Sequence, residues 1–109
     1  MLSVVRKPAK DIATLFAGGY IASGPTNKNR QPLPTWPPGL HAIGTEGAGE
    51  VQSPLKGKAA RSLAIGDRVV MRYAKAGEMC ERFDRVAVVA DDGSVEIVPT
   101  YRGEGKNFG

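Results

Sequence analysis

The chain has 109 residues, a formal charge of +4 and one cysteine, and Gly and Pro together fill 22 positions. That length fits one domain burying about two thirds of its unfolded surface, which excludes a large two-domain enzyme. No apolar run approaches the ~18–20 residues of a membrane-spanning helix, and residues 1–5 are too short for the apolar core of a secretory signal before Arg6, Lys7 and Lys10.

The chain then reads as short strands separated by turns. Residues 2–6 form a β-rich run stopped by Lys7-Pro8, since a residue before proline avoids the helical region. Residues 12–17 form a second apolar run, closed by Gly18-Gly19, with residues 20–22 continuing it past a bulge. Residues 24–39 hold five prolines (Pro25, Pro32, Pro34, Pro37, Pro38), which excludes a helix or an inner strand and predicts a long surface loop. Trp36 within it favours order, because an indole is a large apolar area to leave in water. Residues 50–52 read as a short strand ended by Ser53-Pro54, and residues 63–71 as a turn at Gly66-Asp67 entering a strand. Residues 76–83 are the one plausible helical stretch, with Glu78, Met79, Glu81 and Arg82 as fair helix formers. Residues 85–90 and 95–98 flank Asp91-Asp92-Gly93-Ser94, whose Asp-Gly step supplies the positive-φ positions of a hairpin. Glu96 pointing outward between Val95 and Ile97 fits a sheet with one wet face. The expected fold is mainly β: a small barrel or sandwich-like domain over residues 1–109, with one long Pro-rich loop and at most short helical turns.

Charge and side-chain chemistry narrow the functions. Residues 1–60 carry seven Lys/Arg against three Asp/Glu, whereas residues 61–109 carry eight of each. A basic half attracts phosphates or anionic surfaces, but its cations are scattered and the seven aromatics dispersed, which disfavours nucleic-acid binding. His41 and Cys80 are the sole residues of their types, so a four-ligand zinc site within the chain is excluded. Lone Cys80 fits a reducing, cytoplasmic compartment and reads as a semi-buried small hydrophobe; His41 reads as an ordinary loop residue. The glycine clusters at 17–20 and 44–50 read as turns and bulges, because no helix follows to complete a phosphate cradle. Two segments stand apart, Arg72-Tyr73-Ala74-Lys75-Ala76-Gly77-Glu78 and Pro99-Thr100-Tyr101-Arg102-Gly103-Glu104-Gly105-Lys106. Each crowds charge, a phenol and glycine just after a strand, where binding sites are commonly built. The expectation is that residues 74–78 and 101–105 lie together at one end of the domain.

With Gly66-Asp67-Arg68-Val69, Ala74-Lys75-Ala76-Gly77-Glu78-Met79-Cys80-Glu81-Arg82-Phe83 and Val98-Pro99-Thr100-Tyr101-Arg102-Gly103-Glu104-Gly105-Lys106, the chain resembles the C-terminal part of bacterial amino-acid aldolases and deaminases. These are the D-threonine aldolase/D-serine dehydratase-like proteins of the alanine-racemase fold type. Val4-Val5-Arg6-Lys7-Pro8, Gly18-Gly19-Tyr20-Ile21-Ala22-Ser23-Gly24-Pro25 and Glu46-Gly47-Ala48-Gly49-Glu50-Val51-Gln52 follow the same order, so the resemblance spans nearly the whole chain. It implies a C-terminal β-domain that closes over an α/β barrel holding pyridoxal phosphate as a lysine Schiff base, often beside a partner subunit's barrel. Such a barrel takes about 250 residues, so the cofactor, its phosphate loops and its lysine are expected outside these residues, and Lys75 is not given that role. The family's His-x-Cys or His-x-Asp metal pair falls at residues 73–78, which contain no histidine. Glu78 or Asp67 could still meet a divalent ion, but the family's metal site is expected to be absent or altered.

The resemblance implies a lyase-like substrate-pocket and cover domain, a fragment or split product inert by itself, with a barrel domain and an amino-acid substrate as partners and a homodimer as one assembly. Lys75, Glu78, Tyr101 and Arg102 are the candidate pocket residues: Arg102 for a carboxylate, Tyr101 as a hydrogen-bond donor, Lys75 for an anion or for Glu78. The same four residues are equally read as structural, through a Lys75–Glu78 pair and a tyrosine packed on the hairpin. The rival reading is a stand-alone small β-barrel module for an acidic partner or nucleic acid. A cover domain without its barrel is also expected to expose an apolar patch beyond the few hundred Å² normal for a monomer.

Overall fold

Strand β1 (Leu2–Ala9) and strand β2 (Ile12–Phe16) pair antiparallel across a tight turn in the computed structural model, which describes residues 1–25, 27–44 and 48–108. Lys7-Pro8 does not stop β1. The register shifts between Val4 and Arg6 and again between Arg6 and Ala9, and such irregularities are where a strand tolerates a residue without an N–H. Residues 20–22 form no strand. Ala17 and Gly18 both have positive φ, and a Cβ on Gly18 would lie 2.5 Å from Ser53 Oγ. The chain therefore leaves the sheet at the glycines instead of bulging through them.

The Pro-rich stretch contributes strand β3 (Leu33–Trp36), followed by the two-residue strand β4 (His41–Ala42) and strand β5 (Gln52–Lys56). Prolines exclude an inner strand, and β3 is an edge strand with Pro34 inside it. Trp36 is 60% exposed, so its indole does not anchor the segment; pairing with β6 (Arg68–Arg72) does. Strand β5 begins at the end of the expected segment, and Pro54 lies within it. The Pro54 carbonyl accepts from Ile43 N at 3.2 Å, so the missing N–H of Pro54 faces the β4 side. It ends the β4 ladder after two residues and leaves the β2 pairing of Thr14 with Pro54 undisturbed.

The six strands run β3-β6-β1-β2-β5-β4, and the outer strands β3 and β4 come near one another, giving a nearly closed, barrel-like sheet. Period-2 alternation aims Val4, Ala13, Leu15, Leu55 and Val69 inward, where all five are buried with Leu40 and Ala60. Each fully buried Leu or Val contributes about 1.5–3 kcal/mol. A 3-10 helix (Lys58–Ser62), not anticipated from the sequence, follows β5. The Lys7 ammonium donates to the Ala60 carbonyl and, at 2.7 Å, to the Leu63 carbonyl.

The chain divides into two compact units, Met1–Ala74 and Lys75–Gly109. The second holds helix α1 (Ala76–Cys80) and the hairpin of β7 (Arg85–Val89) and β8 (Val95–Pro99). As expected, Gly93 takes φ +84° in the turn, and the Asp92 carboxylate accepts from Ser94 N at 2.9 Å; hydrogen bonding by Ser94, through its side chain first and its backbone second, lowers the Asp92 pKa. Glu96 does lie opposite the face of Val95 and Ile97, but the apolar face is not covered: Val89, Val95 and Ile97 are 59–63% exposed. The half-buried residues of the hairpin, Val86 and Val98, lie on the Glu96 face instead.

Candidate functional site

Both polar segments contribute to the second unit, and there residues 75–78 and 101–105 meet. Lys75 is the extended N-cap residue of α1 and makes no side-chain cap bond. The Tyr101 hydroxyl donates to the Gly77 carbonyl at 2.9 Å. Turn bonds shape the 100–106 loop: Glu104 N donates to Thr100 O at 2.9 Å and Lys106 N to Tyr101 O at 2.7 Å. Thr100, the one buried residue described in this unit, fixes the loop to the hairpin base. Its hydroxyl donates to the Phe83 carbonyl, and its N–H donates to the Asp84 carbonyl at 3.0 Å. Gly103 then passes so close that a Cβ would sit 1.9 Å from the Asp84 oxygen. This glycine answers a close approach.

The charged residues pair locally. Arg102 Nε lies 3.3 Å from the Asp84 carboxylate, and its guanidinium also donates to the Glu81 carbonyl at 3.3 Å. Glu78 pairs with Arg82 at 3.5 Å, one helical turn on, and not with Lys75. Tyr101 has its pKa raised, first by desolvation and then by Cys80, Glu81 and Glu78, so the phenol is held as a neutral donor. Arg102, Asp84, Arg85 and Gly103 border an open cleft of about 700 Å³. Sequence reasoning selected Arg102, and Thr100 within its segment, but missed Asp84 and Arg85. Their signal was the Asp84-Arg85 step opening β7, a charge pair placed at a strand start like the two segments it did select. The cleft can receive an anion: Arg102 is oriented by Asp84, and Arg85 adds a second guanidinium at its wall.

The other candidates behave differently. His41 lies exposed on β4, and Cys80 is half-buried on α1 in the other unit. The Asp67 carboxylate accepts from Ala64 N at 2.8 Å, closing the turn before β6. Among the described residues no three of His, Cys, Asp and Glu gather as a metal site. Pyridoxal phosphate needs a lysine of lowered pKa, a phosphate cradle and a partner for its ring nitrogen. Helix α1 has five residues, too short to hold a phosphate at its start, and Lys75 stands before it with no such partners. Among the described residues, no such set is gathered around Lys75 and α1. Part of the 44–50 glycine cluster, residues 45–47, lies outside the described residues. Among the described residues no helix is long and apolar enough to cross a membrane.

The fold is similar to that of D-threonine aldolase from Filomicrobium marinum, with a TM-score of 0.69 and 20% identity over 94% of this chain. The chain spans 27% of that enzyme's chain, so the shared fold is that of one part of it. No family model and no curated protein matches the sequence.

Proposed function

We propose that this chain serves as the β-domain of an amino-acid lyase similar to D-threonine aldolase, lining and covering a substrate pocket whose pyridoxal phosphate is held by a separate barrel domain. The observation that carries this reading is the fold likeness over 94% of the chain to a portion of a D-threonine aldolase. In this role Arg102, steadied by Asp84, takes the substrate carboxylate through its remaining N–H groups. Tyr101, neutral and fixed on Gly77, orients the start of α1, where Lys75 and Glu78 present opposite charges to the substrate's polar groups. The cofactor supplies the electron sink when bound to the barrel; this chain supplies orientation and exclusion of water.

The test is a chimera in which this chain replaces the matching part of a D-threonine aldolase. Turnover of D-threonine or D-serine is expected, with Arg102→Lys raising KM at little change in kcat. A folded chimera without turnover, or an Arg102→Lys variant with unchanged KM, sinks the reading. The 109-residue chain alone, given pyridoxal phosphate and a divalent ion, is expected to be inert. Turnover above the free-cofactor rate that vanishes in Lys75→Ala would make Lys75 a catalyst and overturn the cover role.

One observation favours the rival reading of a stand-alone binding module. Residues 1–74 carry ten Lys/Arg against four Asp/Glu, a net of +6, on a barrel with its own core. Salt-sensitive binding of a polyanion by the chain, with no chimera activity, selects that module.

A further inference from the structure

Strands β3 and β4 end the sheet without hydrogen-bonding to each other. Pro34 interrupts β3, and Pro54 limits β4 to two residues. The barrel is therefore left with a seam, and a pocket of about 660 Å³ opens along it, walled by Leu33, Pro34, Leu40 and Ala42, with His41 and Lys28 also lining it. A second pocket of about 410 Å³, lined by Lys28, Asn29, Arg72 and Tyr73, shares Lys28, Gln31 and Leu33 with the first. The two make one groove, apolar at one end and cationic at the other.

Arg61, Arg82, Arg102 and Lys106 each lie within 4 Å of a carboxylate. The side chains of Lys28 and Arg72 make no ion pair or hydrogen bond among the described residues, although both line the same pocket. Leu33, between the two halves, is 39% exposed, while Gln31 beneath is buried. Two cations with no carboxylate partner among the described residues, beside an apolar floor, attract an anion more strongly than they would in open water, because the neighbouring low-dielectric wall screens less. The combined size is that of an ordinary small-molecule site.

We infer that this groove binds a small organic anion, a phosphate or carboxylate carrying an aryl or branched alkyl body. The anionic group lies between Lys28 and Arg72, and the body lies over Leu33, Leu40 and Ala42 in the β3–β4 seam. The inference is independent of the lyase reading, because every residue it uses belongs to the first unit.

The test titrates the full chain with phenyl phosphate and, in parallel, with phenylacetate, following backbone amides by NMR. Shifts are expected at Asn29, Gln31, Leu33 and Ala42 with at least one of the two probes, and the tighter probe identifies the head group. The double variant Lys28→Gln/Arg72→Gln is expected to weaken binding about tenfold or more, and Leu33→Ser to weaken it with the charge intact. Inorganic phosphate and benzyl alcohol are each expected to bind about tenfold more weakly than the better probe. Exposed polar substitutions leave the core untouched, and an unchanged urea midpoint verifies that. Undiminished affinity in the double variant, equal affinity for inorganic phosphate, or shifts centred on Lys56 and Lys58 would overturn the site.

Discussion

At Gly103 one hydrogen atom separates a formed loop from a clash, since a Cβ would lie 1.9 Å from the Asp84 carbonyl oxygen. Gly103→Ala must push the 100–106 loop off the hairpin base, and a forced backbone shift of this kind costs about 1–3 kcal/mol. The expected outcome is loss of the Tyr101–Gly77 contact, read as an altered Tyr101 environment by NMR; an unaltered spectrum would show that the loop does not depend on this approach. Tyr101 itself carries a pH signature. Its folded pKa is raised above the ordinary tyrosine value, chiefly by desolvation. Its contribution is therefore fully present below pH 10 and is lost as pH rises through the higher folded value. Tyr101→Phe should remove that part of the alkaline decline in stability while leaving neutral-pH stability slightly lower for want of the hydrogen bond. Urea midpoints measured across the alkaline range test this, and a variant with the same alkaline slope as the parent contradicts the raised pKa.

Among the elements, the 3-10 helix depends on a residue from another strand. Lys7 on β1 donates to the Leu63 carbonyl just past the helix and adds a second donor to the Ala60 carbonyl, which already accepts from Leu63 N at 3.3 Å. Lys7→Met keeps the aliphatic stem and removes those donors, and should destabilise the chain by about 1–2 kcal/mol. An unfolding midpoint matching the parent's would show that water replaces the ammonium without loss. This contact joins residues over 50 apart in sequence, and for that reason the helix was not legible: residues 58–62 have no apolar period of their own. The hairpin was legible because Asp92-Gly93 encodes its turn locally. So was the mainly β fold, because alternation and turn residues are short-range signals. Proline was misread in two places for one reason. Pro8 and Pro54 each sit in a strand, and whether proline stops a strand depends on which neighbour its absent N–H faces. Only pairing reveals that. For the candidate site, the meeting of residues 75–78 with 101–105 was legible from two glycine- and charge-rich strand ends. The partners of each charge were not: Glu78 takes Arg82 at the i,i+4 spacing in place of Lys75, and the choice of Asp84 for Arg102 is made by tertiary distance.

For the molecule as a whole, the core is unevenly shared. Every buried hydrophobic residue described belongs to the first unit, whereas in the second only Thr100 is buried. A two-stranded sheet with a single helical turn gains little from burial and is marginal in water by itself. Amides of β7 and β8 should therefore exchange hydrogen by local opening, about a hundredfold faster or more than those of β2 and β5 at the barrel core. Native-state exchange measures this directly, and equal protection in both units would mean that the hairpin gains stability the exposed face does not suggest. The same experiment bears on the proposed role. Val89, Val95 and Ile97 form an apolar face that water now covers. If the chain acts as the cover of a barrel, part of the second unit must be buried when that barrel is present. Exchange in β7 and β8 should then slow in the chimera while β2 and β5, already at the core, change little. A chimera that turns over substrate with the hairpin still exchanging freely would separate the two ideas: the site loop would serve the pocket, and the hairpin face would belong to no part of the enzyme.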